Sequence, residues 1–124
     1  MYFPATTLEA GYGYWMYAYF DCELWVENIS ATSDDFITDL NQKWNIIGVP
    51  SLQTTNLSDL IVNYLDTDYN WTEATDPVNG PIVDPNVYGW SRIMHMYIPV
   101  ADTLEPGYAY WMYAYEDCTL KRVV

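Results

Sequence analysis

A stretch of seventeen residues occurs twice in this chain. Leu8-Glu-Ala-Gly-Tyr-Gly-Tyr-Trp-Met-Tyr-Ala-Tyr-Phe-Asp-Cys-Glu-Leu24 returns without a gap as Leu104-Glu-Pro-Gly-Tyr-Ala-Tyr-Trp-Met-Tyr-Ala-Tyr-Glu-Asp-Cys-Thr-Leu120, an offset of 96 residues. Only Ala10/Pro106, Gly13/Ala109, Phe20/Glu116 and Glu23/Thr119 differ. Self-similarity at a fixed offset signals repeated structural units, and this offset is too long for a solenoid turn and fits a small domain. Nothing before Leu8 resembles the stretch from Lys43 to Ser91. The expected organisation is therefore the end of one repeat over residues 1–27, a connector over 28–42 and a complete module over 43–124. The three parts are expected to pack as one compact domain.

Each copy reads as a strand. Gly11 and Gly107 permit a tight turn, and Pro106 fixes φ just before it. The Tyr, Trp, Met and Ala residues beyond the turn suit a pleated surface. Successive side chains alternate, so Trp111, Tyr113 and Tyr115 face one way and Tyr110, Met112 and Ala114 the other. In the first copy Tyr14, Trp15, Tyr17 and Tyr19 have the same pattern. Both faces are apolar or aromatic, which implies a central strand. Tyr12, Trp15, Met16 and Tyr19 also fit helical spacing, but the Gly/Pro punctuation and the tyrosine content favour strand.

The rest of the chain is a series of short apolar runs between turn residues. Met1–Pro4 matches Met96–Pro99 after a one-residue slip and reads as a lead-in strand. Within the connector, Phe36, Ile37 and Leu40 suit a short strand or a helical turn, and Asp34, Asp35 and Asp39 a solvated face. Lys43–Pro50 reads as a strand. Cap-type residues ahead of Leu60-Ile-Val62 suggest a short helix near 57–63. Asp66-Thr-Asp68 lies between Tyr64/Leu65 and Tyr69/Trp71 and suggests a hairpin. The proline-rich stretch 76–86 reads as loop, and Val87–Trp90 and Ile93–Ile98 as strands. The sum is an all-β fold, a small sandwich or barrel with one short helix and two copies of a Tyr/Trp-rich strand.

Composition narrows the functional classes. Seventeen carboxylates against four cations give a net charge of −13, which disfavours nucleic acid and anionic membranes as partners. No apolar run is long enough for membrane insertion as a helix. Asn28, Asn56 and Asn70 each head a glycosylation acceptor pattern, which favours the outside of a cell. Cys22 and Cys118 occupy equivalent positions in the two copies. A bond between them would close a loop of about 100 residues, worth ~4–5 kcal/mol in the chain-entropy model; as free thiols they would be two small buried hydrophobes.

Sites for chemistry are sparse. His95 is the single histidine, and it falls in an expected strand, where a structural role is the plain reading. No second histidine or nearby cysteine supplies a zinc set, and no carboxylate pair stands out as in a glycosidase. Asp66, Asp68, Asn70 and Glu73 form a candidate calcium loop of alternating oxygen donors, against the simpler reading of a charged hairpin tip. Trp25, Tyr69 and Trp71 lie near expected turns and offer a platform for sugar rings.

Trp44-Asn-Ile-Ile-Gly-Val-Pro50, Tyr88-Gly-Trp90 and Leu104-Glu-Pro-Gly-Tyr-Ala-Tyr-Trp111 occur in an order that resembles tandem β-rich modules of secreted and surface-anchored prokaryotic proteins, above all archaeal ones. These stand in adhesin-like or S-layer-like chains. Ala109 departs from the usual glycine of the closing motif, and Ala10 from its usual proline. The resemblance implies an extracellular module without catalytic residues. The expectation is a structural, non-enzymatic unit of a cell-surface or fibre-forming protein, its partners being copies of itself or neighbouring repeats. Tyr14, Trp15, Tyr17, Tyr19, Tyr110, Trp111, Tyr113 and Tyr115 are its expected packing residues, through strand complementation or aromatic docking. The alternative is a carbohydrate-binding module in which exposed Trp and Tyr meet a polysaccharide.

Overall fold

A computed structural model of the chain describes residues 4–24, 36–49, 53–78, 80–100 and 102–122. Ten strands are present among them: β1 Phe36–Leu40, β2 Lys43–Gly48, β3 Thr55–Asn56, β4 Ile61–Tyr64, β5 Thr67–Asn70, β6 Tyr88–Ser91, β7 Met96–Pro99, β8 Thr103–Leu104, β9 Ala109–Ala114 and β10 Cys118–Arg122. One four-stranded antiparallel sheet has the order β2-β9-β6-β7, the other β1-β10-β4-β5, and β3 pairs with β8. The fold is all-β, and its core lies between the two larger sheets.

The second copy of the repeat supplies the central strands of both sheets. Along β9, Tyr110, Met112 and Ala114 are buried and Ala109, Trp111 and Tyr113 half-buried, the expected alternation. After the bend at Tyr115–Asp117 the chain continues as β10, where Cys118 and Leu120 enter the same core. The β1–β2 corner bends beside it. Asn45 pins this corner through bonds to Asn41 and Lys43, and the Asp117 carboxylate accepts from the Gln42 amide at 2.7 Å. Paired corners of this kind carry two adjacent strands from one sheet to the other. β1, which lies within the stretch 28–42, pairs along its whole length with β10.

The first copy departs from expectation. Residues 8–24 form no strand, only a single bridge from Tyr12 to Ile47 at the edge of β2. The opening turn is nonetheless the same in both copies. Gly11 and Gly107 have φ of 87° and 83°. Tyr12 and Tyr108 each donate a backbone N–H to the carbonyl of the glutamate three residues back, at 3.4 Å. The Glu9 amide donates to Tyr14 Oη at 3.0 Å, as Glu105 donates to Tyr110 Oη at 2.8 Å. The turn depends on nearby residues only, whereas the strand after it needs neighbours on both sides, and only β9 has them.

Three further expectations are corrected. The stretch 57–63 holds a single 3-10 turn, Leu57–Asp59, and then β4, because Leu60 and Val62 are fully buried beneath the sheet rather than along a helix face. The hairpin of residues 61–70 forms, turning at Leu65 and Asp66 with φ of 51° and 63°, the left-handed pair a two-residue hairpin turn requires. Trp71 then starts a short helix, α1, Trp71–Ala74, instead of extending the strand. His95 lies in the exposed turn between β6 and β7, with φ of 51°, and not inside a strand.

Candidate functional site

The two outer faces of the sandwich are unlike. The outer side of β4, β5 and β10 is polar: Asn63 Nδ2 donates to Asp68 Oδ1 at 2.8 Å, and Lys121 Nζ pairs with Asp68 Oδ2 at 2.9 Å. Those two contacts, Asn63 first, hold the Asp68 carboxyl below its ordinary range. The outer side of β2, β9, β6 and β7 is aromatic. Cross-strand pairing sets Trp44 opposite Tyr113, Tyr88 opposite Trp111 and Trp90 opposite Tyr97. Trp44 meets Tyr113, Tyr88 and Trp111 at centroid distances of 5.2, 5.9 and 6.3 Å. Tyr97 meets Trp90 at 5.2 Å and Trp111 at 6.2 Å. Trp44, Tyr88, Tyr97 and Trp111 line an open cleft of about 540 Å³.

The first copy reaches this face from the edge. β1 and β2 are the edge strands on one side of the two sheets. The Gly11 carbonyl accepts from Thr38 Oγ1 on β1 at 3.3 Å and from the Gly48 amide on β2 at 3.2 Å, so the turn seals the seam between the sheets. The Gly13 amide donates to the Ile46 carbonyl at 3.1 Å, and there the chain leaves the edge and crosses the outer face. An added Cβ at Gly13 would stand 2.6 Å from both Ile46 Cγ1 and Ala109 Cβ, so the crossing needs glycine. This is one of the four differences between the copies. Beyond it Trp15 stacks edge-on against Trp90 at 5.9 Å and Tyr97 at 5.7 Å. The segment ends beside Arg92, with Tyr17, Tyr19 and Phe20 more than four-fifths exposed.

The expected packing residues thus divide. Tyr110 is buried between the sheets, where desolvation pushes its hydroxyl pKa up. Trp15, Trp111 and Tyr113 lie on the aromatic face, Trp15 and Trp111 both against Tyr97 and Tyr113 against Trp44. Tyr115 donates to Asp84 Oδ2 at 3.0 Å, which raises its pKa, and stands 5.0 Å from Tyr113. Tyr14 holds the turn, and Tyr17 and Tyr19 pack only on one another, at 5.1 Å, among the ring contacts described.

The calcium loop is not assembled. Asp66 sits at the hairpin tip and Asp68 is held by Asn63 and Lys121. Asn70 and Glu73 are joined in a capping box, in which Asn70 Oδ1 accepts from the Glu73 amide at 2.8 Å and Glu73 Oε1 from the Asn70 amide at 3.1 Å. Their use by α1 removes the donors the loop required. The pattern Asn70-x-x-Glu73, which encloses the buried Trp71, was the signal for this helix. No cluster of three or more potential metal ligands exists among the described residues.

Cys22 and Cys118 are not bonded. Cys22 is exposed beside Arg92, whereas Cys118 is buried in the other sheet opposite Leu40. Burial, then Asp117 and Glu116, push the Cys118 thiol up to about 11, so it is a poor nucleophile at neutral pH. Asn56 and Asn70 are exposed; Asn28 and Trp25 lie outside the described residues. The remaining expected sugar-platform residues do not serve, because Trp71 is buried and Tyr69 packs against the core.

Comparison with protein-family models, curated proteins and solved structures returned no match. No helix of the described residues is long and apolar enough to cross a membrane.

Proposed function

We propose that this chain is a structural module of an extracellular, surface or fibre-forming assembly, and that it associates by laying a Tyr/Trp ribbon along the β1/β2 seam and across the aromatic face. The observation that carries this reading is the first copy itself. It engages both edge strands through Gly11 and sets Trp15 on Trp90 and Tyr97, a contact that links chains when the ribbon comes from a neighbour. Adding a strand-like segment to an edge is a general means of protein association. The cleft supports this reading over polysaccharide binding. Its rings meet at steep angles, 58° to 89° for the pairs of Trp44, rather than as a coplanar platform. Its four lining residues include no carboxylate or amide to bind hydroxyls or to act as acid and base.

Sedimentation velocity over a range of concentrations tests the proposal, at a salt concentration that screens the charge of −13. The full chain associates, and a chain lacking residues 4–24 does not. Equal association of the two would refute the assembly role. Quenching of tryptophan fluorescence by polysaccharides, lost in Trp44→Ala, would instead favour the sugar-binding alternative.

A further inference from the structure

The seat occupied by β9 and β10 is defined by five inward side chains: Tyr110, Met112, Ala114, Cys118 and Leu120, all buried. The first ribbon carries the same five residue types at the same spacing, Tyr14, Met16, Ala18, Cys22 and Leu24. It also already holds the entry turn of that seat, with the same Glu-to-Tyr hydrogen bond. The four differences between copies fall elsewhere. Ala10 and Gly13 stand at the places of Pro106 and half-buried Ala109, Phe20 at that of exposed Glu116, and Glu23 at that of Thr119.

Chain connection permits the exchange. β10 ends with Arg122 paired to Phe36, the first residue of β1. By the 96-residue offset Arg122 corresponds in sequence to residue 26, which leaves nine residues of chain before Phe36. The second ribbon enters from β8. Each ribbon therefore has its own route to one seat.

We propose that this seat accepts either ribbon, and that the ribbon left over on one chain enters the seat of a second copy. The proposal deepens the assembly reading: it names the partner as another copy of this chain and gives the register, Tyr14 for Tyr110 and Met16 for Met112. Contacts outside the five shared residues set the preference for the second ribbon. Lys121 pairs with Asp68, Arg122 Nη1 donates to buried Thr55 Oγ1 at 2.8 Å, and Thr119 Oγ1 donates to Asp39 at 3.3 Å. The first ribbon would bring Trp25, Val26 and Glu23 to those places, and Glu23 would oppose Asp39.

The two cysteines report which ribbon is seated. In the wild-type full chain a maleimide labels Cys22 and spares Cys118. Met112→Asp places a carboxylate at a fully buried position of the second ribbon and leaves the first intact. The expected result is a folded protein with the pattern inverted, Cys118 labelled and Cys22 spared. An unchanged pattern, or loss of the fold, overturns the exchange. The chain carrying both Met16→Asp and Met112→Asp has no acceptable ribbon of its own. Affinity-tagged wild-type chain is expected to capture it and restore its protected thiol. Failure of that capture overturns the step between copies. Sedimentation of the full and shortened chains reads ribbon-dependent association in any register, so either proposal can fail without the other.

Discussion

Replacing Trp15 by alanine should release the first ribbon and leave the module intact. The indole is half covered. Half of a surface of up to ~250 Å², at ~25 cal/mol per Å², is about 3 kcal/mol. Two edge-to-face pairs, with Trp90 and Tyr97, add roughly 0.5–1.5 kcal/mol each. Ordering a flexible segment costs back about half of this sum, which leaves a loss of about 2 kcal/mol and a ~30-fold drop in the docked-to-undocked ratio. Two amides read that ratio directly. Gly48 donates to Gly11 and Gly13 donates to Ile46, and both bonds exist only while the ribbon is docked. Hydrogen exchange at both should therefore accelerate by about one order of magnitude or more in Trp15→Ala. The β9 amides, such as that of Met112, should keep wild-type protection. Unchanged exchange at Gly48 would mean that backbone pairing alone holds the ribbon. Equal acceleration in β9 would mean that the ribbon belongs to the cooperative core; either result refutes the reasoning.

Gly13→Val should displace the ribbon in the same assay without lowering the melting temperature of the module, since the new side chain meets Ile46 and Ala109 on the outer face. Asn70→Ala removes the cap of α1 and should cost about 1 kcal/mol in urea unfolding, while added calcium should leave the wild-type midpoint unchanged. The raised thiol pKa of Cys118 gives an alkaline signature. The folded state favours the neutral thiol, so this contribution is complete below pH 9 and is lost as pH rises from 9 to about 11. Cys118→Ala should flatten the fall in denaturant stability across that window, and an unchanged slope would assign the fall to other groups.

Much of the fold could be read from short-range chemistry. The alternation in β9 places it at the centre of a sheet, and the polar run Asp66-Thr-Asp68 marks the hairpin. The Glu-x-Gly-Tyr turn is also local, which is why it forms twice. The conformation beyond the turn is not set locally. The same residue types build a strand where β2 and β6 flank them and an irregular crossing where only β2 is available. Alternation also leaves open which side of β9 is inside. Met112 and Trp111 are equally apolar by pattern, and only the opposing sheet decides that the smaller Met112 and Ala114 go in and the indole out. The candidate face was hidden for that reason. The misassigned helix at 57–63 has the opposite cause: Asn56 and Ser58 resemble caps, but the apolar run after them serves the sheet.

The contrast between the aromatic and the polar side of the sandwich sets a limit on growth. Two modules that bring their ring-bearing sides together turn the polar side of β4, β5 and β10 outward, and among the described residues that side carries no second cluster of rings to recruit a third. Contact through that side closes on itself as a pair, whereas a segment passed from one molecule to the next leaves each end unfinished and continues in one dimension.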